Sequence, residues 1–432
     1  MEIVFEGHAP GRRFRRLLLG AWIAAWMATG APAQQKKTLT WDDAKRVLDA
    51  VNPTLRAARI GIEQSRAEQI TAFLRPNPDL TIAVDQISPL YQADGGPLRP
   101  LSDSLPFVSA SYLVERRHKR ELRRESSRQA TDIAISELDD QKRNLLFDLR
   151  EAFVAVLQQK SVVEVTRESL DFYDRMLGVS RDRYKSGDIA QVDLDRLELQ
   201  RVQFVSDVQI ALVNLRTAKI RFQTLLNDRT PVEQLDVSGR FDFGEIVTPL
   251  PEFRQTALEF RADLRAAVQA VDKARTDYRL AVANGSTDPT FAVDVARQYP
   301  LRAYFGIGVT IPLRIFDRNQ GEKERTQLDI KRNERLVEAN RAQVFSDVDS
   351  AYATLESNLI LLRPYKTRYL QQAARVRETI SFSYQHGGAS LLDFLQAQQD
   401  YRSIQLTYLN LVGSYLSAAN QMNFAVGREV IP

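Results

Sequence analysis

The sequence predicts an α+β fold of two tandem repeats, each a β-hairpin feeding a pair of very long helices. Three observations carry that prediction. First, the 432-residue chain repeats itself: YKSGDIAQVDLDRLELQ from Tyr184 matches YQHGGASLLDFLQAQQ from Tyr384. Tyr184, Gly187, Val192 and Asp193 return as Tyr384, Gly387, Leu392 and Asp393, 200 positions on. Upstream, Leu55-Arg56-Ala57-Ala58 returns as Leu264-Arg265-Ala266-Ala267, and Ala83-Val84-Asp85 as Ala292-Val293-Asp294, offset by 209. A repeat of this length constrains the architecture before any single motif does. Second, four short runs alternate apolar and polar residues. Third, apolar residues recur every seven positions through most of the remainder.

The N-terminus comes first. Arg12, Arg13, Arg15 and Arg16 precede an apolar run from Leu17 to about Met27, then Ala31-Pro32-Ala33. That is the order of a secretory signal peptide, so residues 1–33 are expected to be cleaved off. An uncleaved anchor is the alternative, but the run is short of the roughly 20 apolar residues that a span needs. The chain has no cysteine, so neither an N-terminal lipid anchor nor a disulfide is expected, and packing alone must hold the exported protein. A net charge of +4 gives no reason to expect a nucleic-acid partner.

The first repeat is expected over 34–227. Its short helices lead to a hairpin at about 79–115. Leu80, Ile82 and Val84 alternate with Thr81, Ala83 and Asp85, and Val108, Ala110, Tyr112 and Val114 with Ser109 and Ser111. Period two with one apolar face is the strand signal. The connection between the two runs is long and turn-rich, with Pro89, Gly95, Gly96, Pro97 and Pro100. Long helices follow over about 118–227. Ile135, Leu149, Val156, Val163, Leu170, Leu177 and Tyr184 keep a seven-residue series that only Lys142 interrupts, and Leu197, Phe204, Ala211, Ala218 and Leu225 continue it. Such spacing underwinds helices into coiled-coil contact. Gly187 and Gly387 are expected to turn the chain in tight helix hairpins by adopting the left-handed conformation.

Residues 228–251 carry Pro231, Pro249 and Pro251 and no periodicity, which suits an irregular linker lying as a belt partway along the helices. The second repeat is expected over 252–427. Its hairpin at about 289–314 sets Phe291, Val293 and Val295 against Ala292 and Asp294, and Phe305, Ile307, Val309 and Ile311 against Tyr304, Gly306, Gly308 and Thr310. The turn is short, around Tyr299-Pro300. Long helices at about 320–427 repeat the heptads, with Pro364 expected to kink or split the first. A tail over 428–432 ends the chain.

Four strands of about nine to eleven residues are long enough to cross a bilayer. Four strands cannot close a barrel, and lipid does not tolerate an open edge, so a membrane reading requires several chains. A small soluble sheet packed on the helices is the other possibility. By alternation, Thr81, Asp85, Ser109, Ser111 and Asp294 should face a lumen, and Leu80, Ile82, Val84, Phe291 and Val293 should face lipid.

No catalytic constellation is present. After signal cleavage only His118 and His386 remain, at opposite ends of the long-helix layout, so a histidine zinc site within one chain is not expected. There is no P-loop and no dinucleotide fingerprint. No enzyme activity, metal site or cofactor is expected.

These residues resemble the TolC-like outer-membrane efflux channels, the outer membrane factors. The Tyr-x-x-Gly turns with the helix starts after them carry the likeness, as does PLRIFDRNQGE from Pro312 to Glu322 at a strand-to-helix junction. His118-Lys119-Arg120 is similar to a glycine-lysine-arginine junction, although the glycine is absent. The resemblance covers about 38–427. It implies a homotrimer, with four strands per chain in one twelve-stranded outer-membrane barrel and twelve long helices continuing as a periplasmic α-barrel. It implies a passive exit duct for a tripartite efflux or type I secretion system. A periplasmic adaptor and an inner-membrane pump would dock at the tips around Tyr184, Gly187, Gly387 and Gly388. The FDRNQGE junction leans toward the branch serving resistance-nodulation-division pumps, metal-cation exporters included. A periplasmic coiled-coil structural or adaptor protein without a pore is the competing reading.

The resemblance also assigns a gate. Asp393 would form an acidic ring at the closed aperture, and Gln396 falls where some members carry a second Asp. Asp193 would join the network restraining the tip, with Tyr384 as its aromatic partner, while an arginine used there by some members is Ala389 here. A ring of like charges in a narrow neck attracts cations and repels anions. The other reading of Asp193 and Asp393 is helix capping, since the helix dipole favours acids in a first turn.

Overall fold

The computed structural model describes residues 37–87, 104–245, 248–298 and 301–431. The expected signal peptide, the turn-rich first hairpin connection and the Tyr299-Pro300 turn lie outside the described residues. The chain runs β1 (Lys37–Leu39), α1 (Trp41–Val51), α2 (Pro53–Phe73), β2 (Asp79–Asp85), β3 (Leu105–Leu113), α3 (Lys119–Lys185) and α4 (Gln191–Leu225). It continues through β4 (Leu235–Val237), α5 (Leu250–Phe260), α6 (Ala262–Asn284), β5 (Thr290–Gln298), β6 (Leu301–Thr310), α7 (Gln320–Pro364), α8 (Leu370–Gln385) and α9 (Leu391–Val426).

The short helices of each repeat meet at an elbow. Asn52 ends α1 and caps α2: its Oδ1 accepts from the Thr54 and Leu55 amides at 2.9 and 3.2 Å. Its Nδ2 donates to the Leu225 carbonyl at 3.3 Å. Arg261 stands at the matching elbow between α5 and α6 and donates to the Ala425 carbonyl at 3.4 Å. Leu225 and Ala425 are repeat equivalents, so two unlike side chains satisfy one backbone requirement, an orphan carbonyl near a helix end.

β2, β3, β5 and β6 form one antiparallel sheet in that order, joining the two hairpins through β3 and β5. β1 and β4 pair in parallel and place Leu39, Leu235 and Val237 in a core with Phe153 and Leu157 of α3. Lys160 of α3 fastens this strand with bonds to Asp236 Oδ2 (3.0 Å) and the Val237 carbonyl (2.8 Å). The segment after α4 therefore crosses α3 partway along its length.

α3 is a single helix of 67 residues, about 100 Å long at 1.5 Å per residue. Along its heptad series Leu149, Val156, Val163 and Leu177 are buried, while Ile135 and Tyr184, near the two ends, are exposed. Leu194, Leu197, Phe204, Val208 and Phe222 of α4, and Phe394, Tyr401, Tyr415 and Met422 of α9, complete the seams. Each fully buried side chain of this size contributes about 1.5–3 kcal/mol. Pro364 splits its helix as expected. It offers no N–H to the carbonyl four residues back, and a π-helical turn from Tyr365 to Tyr369 separates α7 from α8.

The strand-to-helix junctions explain the missing glycine. His118 precedes α3 at φ 56°, and Asn319 precedes α7 at φ 60°, both left-handed. Asparagine tolerates that conformation, and here its Nδ2 bonds the Ala281 carbonyl at 2.7 Å. Histidine carries the strain without a side-chain cap. His118→Gly should therefore raise the unfolding free energy by up to about 1 kcal/mol, the left-handed penalty less the entropy glycine adds to the unfolded chain. Chemical denaturation measures it, and an unchanged or lowered midpoint would refute the strain.

Candidate functional site

The sheet has two unlike faces. Paired residues of adjacent strands point to the same side, and the register aligns Thr81, Ser109, Asp294 and Gly306 in one row across all four strands. The next row on that side is Asp79, Ser111, Ala292 and Gly308. Asp85 shares the face further along, where Leu105, Phe107 and Tyr304 also fall. The two glycines keep the face open beside β5: a Cβ on Gly306 would stand 3.4 Å from Asp294 Oδ2.

The opposite side is apolar in its paired rows. Ile82, Val108, Val295 and Phe305 form one row, Leu80, Ala110, Val293 and Ile307 the next, and Tyr112, Phe291 and Val309 a third. Nothing among the described residues covers it: Ile82 is 73% exposed and Ile307 76%. β2 and β6 are edge strands among the described residues, each with one unpaired side. Among the described residues no helix is long and apolar enough to cross a membrane.

The helix hairpins form the second candidate region. Gly187 (φ 83°) and Gly387 (φ 75°) are left-handed, as their place in the turns requires. Gly187 and Gly387 donate to the carbonyls of Tyr184 and Tyr384, and Asp188 and Gly388 to those of Arg183 and Ser383, so the two tips share one hydrogen-bond pattern. Their tyrosines diverge. Tyr184 is exposed, whereas Tyr384 is buried in a cluster with Tyr173, Met176, Leu194 and Phe394. Tyr384 stacks on Phe394 with ring centroids 4.9 Å apart, and its hydroxyl lies 3.3 Å from Ser180 Oγ.

Within the chain the expected pairing of Tyr384 with Asp193 is not formed, and the hydroxyl meets Ser180. Burying the ring in that cluster turns its hydroxyl onto α3, not onto the start of α4. Arg183, which sequence reasoning missed, supplies a restraint instead. Its Nη1 donates to the Tyr384 carbonyl at 2.6 Å, and its guanidinium lies 5.3 Å from the Tyr384 ring centroid. The only sequence signal was an arginine just before the first repeated tyrosine, where the second repeat has Ser383.

The two aspartates also differ. Asp393 makes a reciprocal capping box: the Ser390 amide donates to its carboxylate at 3.2 Å and the Asp393 amide donates to Ser390 Oγ at 3.2 Å, with Ser390 Oγ also donating to the carboxylate at 2.7 Å. Its carboxylate caps α9 and remains exposed. Ala190 stands at the equivalent position before α4 and has no side-chain oxygen, so Asp193 enters no such box. Gln396 lies on the exposed flank of α9 and bonds Asp400 at 2.8 Å. Among the described residues no group of three or more His, Cys, Asp or Glu side chains could hold a metal ion.

Comparison with known proteins agrees with this architecture. Over 413 residues the chain is 24% identical to the cobalt-zinc-cadmium resistance protein CzcC of Cupriavidus metallidurans, covering 92% of each chain. Its fold is similar to that of CusC, whose structures concern folding and transmembrane channel formation, with TM-score 0.75 at 16% identity over 93% of this chain and 96% of that one. It is likewise similar to the open state of the MtrE outer membrane channel of Neisseria gonorrhoeae, with TM-score 0.71 at 17% identity over 93% and 94%. Residues 253–428 match the family model of outer membrane efflux proteins. With the duplicated hairpins and helices, these matches make the chain similar in fold to outer-membrane efflux channels, and its second repeat matches the outer membrane efflux protein family model.

Proposed function

We propose that three copies of the chain close one twelve-stranded barrel in the bacterial outer membrane, with the long helices continuing as a tunnel through the periplasm. The observation that carries this reading is the four-stranded sheet: among the described residues one face is apolar in its paired rows and uncovered, the other carries Thr81, Asp85, Ser109, Ser111 and Asp294, and both edges are unpaired. Lipid accepts a sheet only when no edge remains. The apolar rows then face lipid, and Thr81, Asp85, Ser109, Ser111 and Asp294 face the lumen. The protein performs no chemistry and consumes no energy. It is the exit duct of a tripartite efflux system, with a periplasmic adaptor and an inner-membrane pump docking at the tips around Tyr184, Gly187, Gly387 and Gly388. The likeness to CzcC supports divalent metal cations as cargo.

At the aperture Asp393 contributes an acidic ring, flanked by Gln396, that favours cations. Its capping box leaves one charge per chain exposed at the tip. In planar bilayers the mature chain should give small, cation-selective steps that divalent ions block. Asp393→Ala should enlarge the steps and remove the block. Ser390→Ala, which breaks the capping box but keeps the charge, should leave both unchanged. An Asp393→Ala channel identical to wild type would end the gate assignment. A wild-type chain that forms no channels and stays out of the outer-membrane fraction would favour the pore-free coiled-coil reading.

A further inference from the structure

Arg377 breaks the logic of the seam it occupies. Its counterpart in the first repeat, 200 positions earlier, is Leu177, a heptad residue 2% exposed. The fold thus accepts leucine at this place, yet the second repeat puts a guanidinium there, 8% exposed. Arg377 extends from α8 to reach both α9 and α3. Its guanidinium lies 3.7 Å from the ring centroid of Tyr401 on α9 and 4.6 Å from that of Phe172 on α3. The nearest carboxylate is Glu168 of α3, at 3.8 Å, and that side chain is largely exposed. Arg377 Nε is buried and has no hydrogen-bond partner.

Two other inter-helix arginines are fully paired. Arg201 of α4 takes both oxygens of Asp174 on α3, at 2.6 and 3.0 Å, and Arg254 of α5 takes both of Asp349 on α7, at 2.7 and 2.6 Å. Those pairs hold helices within one repeat. Arg377 joins α8 of the second repeat to α3 of the first, and it is held by rings instead of oxygens.

We propose that Arg377 is a soft latch that holds α8 against α3 and sets the balance between a closed and a dilated helical tip. The buried Tyr401 ring and the half-buried Phe172 ring attract the cation, while the unsatisfied Nε opposes burial. Displacing α8 from α3 gives Nε to water, leaves Tyr401 in place and surrenders only Phe172 and the long Glu168 contact. Leucine at 377 would gain nothing from water and would favour the closed seam.

This inference rests on the duct reading for its consequence but not for its geometry, and two measurements separate them. Hydrogen exchange of the α8 amides, on the full chain assembled in detergent, reads the latch. Arg377→Leu should slow that exchange by about tenfold, the scale of one buried unsatisfied donor, and Phe172→Ala should speed it by a similar factor. Bilayer recording reads the consequence: open probability should fall with Arg377→Leu and rise with Phe172→Ala. Unchanged exchange in Arg377→Leu, or a shift of both variants in one direction, would overturn the latch. Opposite shifts in exchange with no conductance from any form, wild type included, would leave the latch standing and remove the duct.

Discussion

Ile82→Arg should abolish stable insertion into the outer membrane, whereas Thr81→Arg should leave it intact. The two residues are adjacent on β2 but belong to opposite faces. Ile82 sits in the apolar row with Val108, Val295 and Phe305 and is 73% exposed. An arginine at the lipid midplane of a barrel costs about 2–4 kcal/mol per copy, and three copies would add these costs in a trimer. At position 81 the new guanidinium would instead share a row with Ser109 and Asp294, a hydroxyl and a carboxylate. Membrane fractionation with a urea wash measures the outcome. Equal retention of both variants would show that the apolar face does not meet lipid.

Arg261→Ala should produce the largest loss of folding stability among single substitutions at the elbows. Arg261 is 5% exposed and holds Asp263 through two bonds, at 3.0 and 2.5 Å, and Asp347 through one at 2.6 Å. It thereby ties the α5–α6 elbow to α7 and, through Ala425, to the end of α9. Breaking a buried pair by removing one partner costs about 3–5 kcal/mol; the partial exposure of both carboxylates places this case near 3. Burial pushes Asp263 upward, but the Arg261 hydrogen bonds and charge outweigh it and leave its carboxyl below the usual range. A depressed folded-state value means stabilisation present above the ordinary carboxylate range and lost as pH falls through the lowered one. Arg261→Ala should therefore be less stable at neutral pH and lose less on acidification. Urea unfolding at pH 7 and pH 3 tests both. A difference under about 1 kcal/mol at pH 7 would show that the network adds little.

The strands were legible because a sheet with one apolar and one polar face must alternate. The register then sets Thr81, Asp85, Ser109, Ser111 and Asp294 on one side and Leu80, Ile82, Val84, Phe291 and Val293 on the other. The heptads were legible for the same kind of reason: the long helices pack along most of their length, so the spacing survives. Features that depend on contact between the repeats were not legible. Nothing local marks Arg183 as the residue that grips Tyr384, or directs the Tyr384 hydroxyl to Ser180. The π-helical turn after Pro364 could be expected only as a break. The contrast between Asp193 and Asp393 was visible in the sequence itself, because Ser390 stands three residues before one and Ala190 before the other, and Ser-x-x-Asp follows the capping-box spacing. Asn52 and Arg261 show the reverse problem. Their residue types are unrelated, and only the carbonyls they satisfy reveal them as equivalents.

The open edges of β2 and β6 carry a consequence for the life of a single chain. The buried helical clusters can form within one polypeptide. The sheet cannot be completed there, because each edge is a template for any strand that arrives first. In the proposed trimer the correct strand belongs to another copy, so the waiting time depends steeply on how many copies the envelope holds. A scarce chain waits longer with its sheet unfinished, and during that interval chaperones and proteases compete with its proper neighbours. Abundance therefore acts on this protein twice, through the amount made and through the fraction that survives to assemble.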